Sequence, residues 1–126
     1  MKPEVIVSDK APKAVGAYAQ AVRANGFVFL SGQIPLDPAT GELVQGDVGT
    51  QARRVMDNLK AVLEGAGTNL SKVVKATIYL IDMNDFAVVN QTYGEYFPDA
   101  KPARVTVAVA GLPRGSKVEI DMIALA

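Results

Sequence analysis

Two apolar runs close the chain, and a charge stands near the start of each. Arg104 to Ala110 alternates around Val105, Val107 and Val109, whereas Val118 to Ala126 is almost continuously apolar. Gly111, Pro113 and Gly115 punctuate the segment between them, so the pattern predicts a core β-hairpin that everything upstream is built to cover. Arg104 and Glu119 are the exceptions within it. A charge among β-branched and small apolar residues must find a partner or a ligand. On one reading they form a structural ion pair, or each lies at a strand end wet enough to be solvated. On the other, Arg104 waits for a carboxylate and Glu119 for a water or a proton.

Composition limits what else the chain can do. There is no cysteine, which excludes disulfides, thiolate ligands and a cysteine nucleophile, and no histidine, which removes the commonest general base and zinc ligand. Any chemistry is left to carboxylates, Arg, Lys, Tyr, hydroxyls and backbone; no metal site is expected. Thirteen basic residues balance thirteen acidic ones, so charge offers no argument for nucleic acid or an anionic membrane. The N-terminal residues lack an apolar signal core and no stretch approaches a membrane span, so the expected address is the cytoplasm. At 126 residues, residues 1–126 read as one domain.

Taken in order, Glu4 to Ser8 is a short candidate strand followed by loop chemistry through Gly16. Asn25-Gly26, between Ala19–Ala24 and Phe27–Leu30, is a strong tight-hairpin signal; it makes Tyr18 at one arm's mouth a near neighbour of Ser31 and Gly32 at the other's end. Asp47 is a plausible N-cap for a helix with a single apolar stripe at Val48, Ala52, Val55, Met56, Leu59, Val62, Leu63 and Ala66. Gly65 and Gly67 end it as C-cap residues rather than as a phosphate loop, since no strand-to-helix turn follows.

Val73 to Ile81 reads as a strand with Val74, Ala76, Ile78 and Leu80 on one face and Lys75, Thr77 and Tyr79 on the other. A second helix is expected from about Asn84 to Phe97, with Phe86, Val89, Tyr93 and Phe97 as its stripe and Pro98 as its stop. Asn90 shares that stripe and reads as a buried amide that caps a neighbouring loop or shapes a ligand site. Two helices of this size cover one face of a largely antiparallel sheet but not both. The second face, carrying Thr77, Tyr79 and Glu119, is expected to be covered by other copies of the chain.

Ala11-Pro12, Gly16-x-Tyr18, Ser31-Gly-Gln-Ile-Pro35, Asn58-Leu-Lys60, Asp85-Phe86, Val89-Asn90, Pro102-Ala-Arg104, Leu112-Pro113 and Val118-Glu-Ile120 together resemble the RidA (YjgF) family of enamine/imine deaminases. Each piece is short; their joint order spans nearly the whole chain. The resemblance implies a chorismate-mutase-like α+β fold, a homotrimer with ligand sites between subunits, and no metal or organic cofactor. It implies hydrolysis of the 2-imino acids 2-iminobutanoate and 2-iminopropanoate to 2-oxo acids and ammonia. By position, Arg104 would grip the substrate carboxylate, Glu119 would hold or activate the attacking water, and Tyr18, Ser31, Gly32 and Asn90 would line the pocket, with Thr106 beside them.

The chemistry of the residues agrees. A guanidinium meets a carboxylate with two parallel hydrogen bonds, and a protonated imine needs only an oriented water and a modest base. If Ala110 pairs with Val118, Arg104 and Glu119 lie roughly 16 Å apart along the hairpin, so a shared site would draw them from different subunits. The chain departs from many family members at Ala17, where proline is common, and at Thr106, where many bacterial members carry cysteine. Two further classes stand beside the deaminase: a regulatory trimer that holds a small carboxylate without turnover, and an endoribonuclease that inhibits translation, against which the balanced charge and missing histidine argue.

Overall fold

The computed structural model describes residues 2–126. Its strands are β1 (Glu4–Ile6), β2 (Ala21–Ala24), β3 (Phe27–Gln33), β4 (Val73–Leu80), β5 (Ala103–Ala108) and β6 (Val118–Leu125), and its helices are α1 (Val48–Gly65) and α2 (Phe86–Glu95). The six strands form one sheet in the order β1-β2-β3-β6-β4-β5, antiparallel except where β5 runs parallel to β4. The fold is α+β, as expected.

The hairpin signal at Asn25-Gly26 holds because both residues adopt positive φ, 52° and 83°, the backbone that a two-residue turn between twisted strands requires. Helix α1 starts where Asp47 accepts the Thr50 N–H and ends in a full Schellman cap, with Thr68 N–H donating to Leu63 O and Gly67 N–H to Glu64 O, both at 3.0 Å. Gly67 supplies the left-handed residue, φ 79°. All eight stripe residues of α1 are buried. They pack on Val28 and Leu30 of β3 and on Val118, Ile120, Met122 and Ala124 of β6 in one core cluster.

The C-terminal hairpin is not formed. Strand β6 pairs with β3 and β4, and β4 separates it from β5. Physically, the segment from Val109 to Lys117 is too long for a tight reversal and carries Pro113, whereas β4, α2 and β5 form a crossover unit that returns the chain to run parallel. Val109 N–H donates to Leu80 O at 2.7 Å, anchoring the exit of β5 to β4 instead.

Three smaller expectations also change. Val74 is exposed because the register between β4 and β6 slips between Val73 and Lys75, a bulge that turns Val74 out of the core face. The first strand stops at Ile6; Ser8 is held by the side chain of buried Gln20 instead. Residues Met83–Asp85 form a separate 3-10 turn, so α2 begins only at Phe86.

One buried amide ties core to cavity wall. Asn58 is wholly buried; its Nδ2 donates to Leu36 O at 2.9 Å and its Oδ1 accepts from Arg54 Nε at 3.1 Å. Asn58→Ala leaves the Leu36 carbonyl unpaired, and is expected to lower stability by about 1–3 kcal/mol. Urea denaturation measures this; an unchanged midpoint would show that the carbonyl finds another partner.

Candidate active site

Tyr18, Ser31, Gly32 and Glu119 come together. Gln20 pins the loop before them: its side chain accepts from Ser8 N–H at 2.6 Å and donates to Pro12 O at 2.7 Å. Ser31 closes the hairpin's open end by donating through its N–H to Gln20 O at 3.0 Å and through Oγ to Ala19 O at 2.6 Å. The four residues line a cavity of about 910 Å³, with Lys13 and Arg114 also on its walls. Glu119 is half-buried, and burial pushes its carboxyl above the usual glutamate range, with Asp121 on the same strand adding like-charge repulsion. Asp121 accepts from Tyr79 Oη at 2.9 Å, which raises the tyrosine above its ordinary value.

Arg104, Asn90 and Thr106 form a second group. Arg104 lies on β5, and its Nη1 donates to Asn90 Oδ1 at 2.8 Å. The guanidinium stands 5.6 Å from the Phe86 ring centre and 5.1 Å from that of Tyr93, within cation–π range of both. With Lys101 and Tyr93, Asn90 and Arg104 line a smaller cavity of about 370 Å³. Burial raises the Tyr93 hydroxyl to about 12, so it stays neutral. Thr106 is two residues along the same face as Arg104, and its buried Oγ1 has no hydrogen-bond partner.

Asn90 is exposed rather than buried: it sits where the stripe of α2 runs off the edge strand β5, and its partner is Arg104 instead of a loop. Phe86 and Tyr93, expected only to pack, share with Asn90 the helical spacing that sets all three beside the guanidinium.

The two groups occupy opposite faces of the sheet. Arg104 pairs with Ala76 and so faces the helices, whereas Glu119 pairs with Tyr79 and faces away from them. Three residues along β4 and two strand spacings across it separate their backbones by about 14 Å. An ion pair between them within one chain is therefore excluded. The open face between carries Val105 and Val107, both exposed. Among the described residues no group of acidic side chains is arranged to hold a metal ion, and no helix is long and apolar enough to cross a membrane.

The protein is thus of the two-helix, six-stranded α+β class, with an arginine and a half-buried glutamate on opposite faces of its sheet. Residues 8–126 match the family model described as Endoribonuclease L-PSP. A mouse relative named 2-iminobutanoate/2-iminopropanoate deaminase is 48% identical over 97% of this chain and 90% of its own. YyfA of Yersinia pestis, a solved member of the Rid family, is 45% identical and superposes with a TM-score of 0.97 over 99% of this chain and 100% of its own. TdcF from E. coli, solved with bound serine, is 40% identical with a TM-score of 0.93 over 98% of both chains. The chain belongs to the RidA (YjgF) family, which the matching model describes as endoribonuclease L-PSP.

The raised Glu119 carboxyl has a consequence for stability. The folded protein holds this proton more tightly than the unfolded chain, so the group costs nothing below the ordinary value of 4.5 and destabilises progressively as pH rises through the folded value. Glu119→Gln should therefore gain thermal stability over wild type as pH rises from 4.5 through the folded value and keep that gain above it, followed by scanning fluorimetry across pH. A difference independent of pH would contradict the raised value.

Proposed function

We propose that the protein is an imine deaminase that hydrolyses 2-iminobutanoate and 2-iminopropanoate, working as a homotrimer whose sites lie between subunits. The observation that carries the reading is the split of charge: a preorganised guanidinium faces one way and a half-buried carboxylate the other. Among the described residues, the Arg104 cavity has no carboxylate to activate water, and the Glu119 cavity lacks the guanidinium that Asn90, Phe86 and Tyr93 hold in place. Packing the β5–α2 edge of one copy against the open sheet face of another would set the Arg104 group of one subunit against the Glu119 group of its neighbour. Exposed Val105 and Val107 give that face apolar surface to bury.

In this site Arg104, held by Asn90 and the rings of Phe86 and Tyr93, grips the substrate carboxylate through two parallel hydrogen bonds. Glu119 takes a proton from water as the oxygen bonds to C2 and the C=N π electrons move to nitrogen. The glutamic acid then returns the proton to the amino group of the carbinolamine formed from the protonated imine; a hydroxyl lone pair forms the C=O bond as the C–N bond breaks, the hydroxyl proton passes to the Glu119 carboxylate and on to solvent, and ammonia and the 2-oxo acid leave. A carboxyl pushed upward by burial suits the first step, because it is a better base than an exposed glutamate. Tyr18 and Ser31 border the same cavity, where they orient the water or the imine nitrogen. Thr106 Oγ1 lies beside the carboxylate site.

The mouse relative's name supports the reaction, and serine bound to TdcF is a small amino acid whose carboxylate is of the kind Arg104 would hold. The endoribonuclease in the family description has weaker support in this chain, which has zero net charge and no histidine.

The test is release of 2-oxobutanoate while threonine dehydratase generates the imine and an added amine competes for it. Wild type should accelerate release. Glu119→Gln should lose about 10²- to 10⁴-fold while still binding 2-oxobutanoate, and Arg104→Ala should lose that binding with its oligomer intact. Wild type that binds 2-oxobutanoate without accelerating release would replace the enzyme with a carboxylate-binding regulatory trimer.

A further inference from the structure

Gly32 has no conformational reason to be glycine, since its φ is not in the left-handed region. Its reason is space. A Cβ placed on Gly32 would stand 2.0 Å from Glu119 Oε2, 2.9 Å from Cδ and 3.1 Å from Cγ, and these are the three nearest atoms. The carboxylate thus occupies the volume that any side chain at position 32 would need.

Backbone irregularity makes the same spot. Between β3 and β6 the register runs Leu30 to Met122 and then Gln33 to Ile120, so β3 spends three steps where β6 spends two. The extra residue falls at Ser31-Gly32, a β-bulge of the kind that re-aims side chains beside functional sites. The bulge opens the sheet next to the Glu119 side chain, and the glycine leaves the opening unfilled.

We propose that Gly32 is a positioning residue for Glu119: the bulge and the missing side chain form a notch that seats the carboxylate in the cavity wall, half withdrawn from water. The seat itself stands on geometry alone; its catalytic consequence rests on the deaminase reading. The groups that face or border the seated carboxylate are Asp121 from its own strand, Tyr79 from β4, Tyr18 from the preceding loop, and Lys13 and Arg114 on the cavity walls.

A double-mutant cycle in thermal stability tests the seat without reference to activity. Gly32→Ala should destabilise the protein when Glu119 is present and cost little in the Glu119→Ala background, where the obstructing atoms are gone. Equal losses in both backgrounds, including failure of both to fold, overturn the proposal. The ¹³C signal of the Glu119 carboxyl, assigned by its absence in Glu119→Gln, gives a second readout. In Gly32→Ala its titration should fall back toward that of an ordinary glutamate as the displaced carboxylate enters water; an unmoved titration also overturns the proposal.

Kinetics separate the seat from the reaction. Gly32→Ala should lower kcat about 10²-fold with KM little changed, the effect of a misplaced reacting group. Stability coupling and a shifted titration, together with wild-type hydrolysis by both Gly32→Ala and Glu119→Gln, would leave the seat standing and remove Glu119 from catalysis; wild type that does not accelerate imine hydrolysis would remove the deaminase reading instead.

Discussion

Successive residues of a β-strand point to opposite faces, and β6 spends that alternation on two different environments. Val118, Ile120, Met122 and Ala124 enter the core under α1, while Glu119 and Asp121 emerge on the side that the helices leave bare. Because β6 lies between β3 and β4, its register is held from both sides, and a one-residue slip would drive two carboxylates into the core. The backbone at Glu119 is therefore placed by the same pairings that place the core. The neighbouring bulge at Ser31-Gly32 adds the room in which its carboxylate lies.

The crossover from β4 through α2 to β5 does the complementary work. It returns the chain parallel to β4 at the sheet's edge and sets Arg104 against the helix that has just been laid down. Asn90, Phe86 and Tyr93 then constrain the guanidinium from one side and leave it open to a cavity on the other. As the last strand of the sheet, β5 leaves its outer hydrogen-bonding groups unpaired. Here the edge and the apolar open face beside it are the features that a neighbouring copy would cover.

Local signals were legible in the sequence, and long-range ones were not. Asn25-Gly26, the Asp47 cap and the Gly67 terminus each depend on a few adjacent residues whose backbone needs are chemical, so they read directly. The neighbourhood of Tyr18 with Ser31 and Gly32 followed from that hairpin. The partner of β5 could not be read the same way, since two apolar runs close in sequence look alike whether they pair with each other or enclose a third strand. Arg104 and Glu119 were legible as misplaced charges. That they face opposite ways depends on strand order, and that Asn90 serves Arg104 depends on where α2 overhangs the edge. The bulges at Val74 and Ser31-Gly32 arise from pairing and leave no composition signal beyond the glycine itself.

The central claim is that a complete site needs Arg104 from one copy and Glu119 from another. Mixing is its most direct measurement: Arg104→Ala and Glu119→Gln chains are unfolded together, refolded, and assayed for imine hydrolysis, with mixed oligomers confirmed by native mass spectrometry. Each variant alone lacks one half of every site, whereas a mixed oligomer contains interfaces where both native residues meet. Activity well above either parent is the predicted result. Confirmed mixed oligomers no more active than their parents would contradict the account.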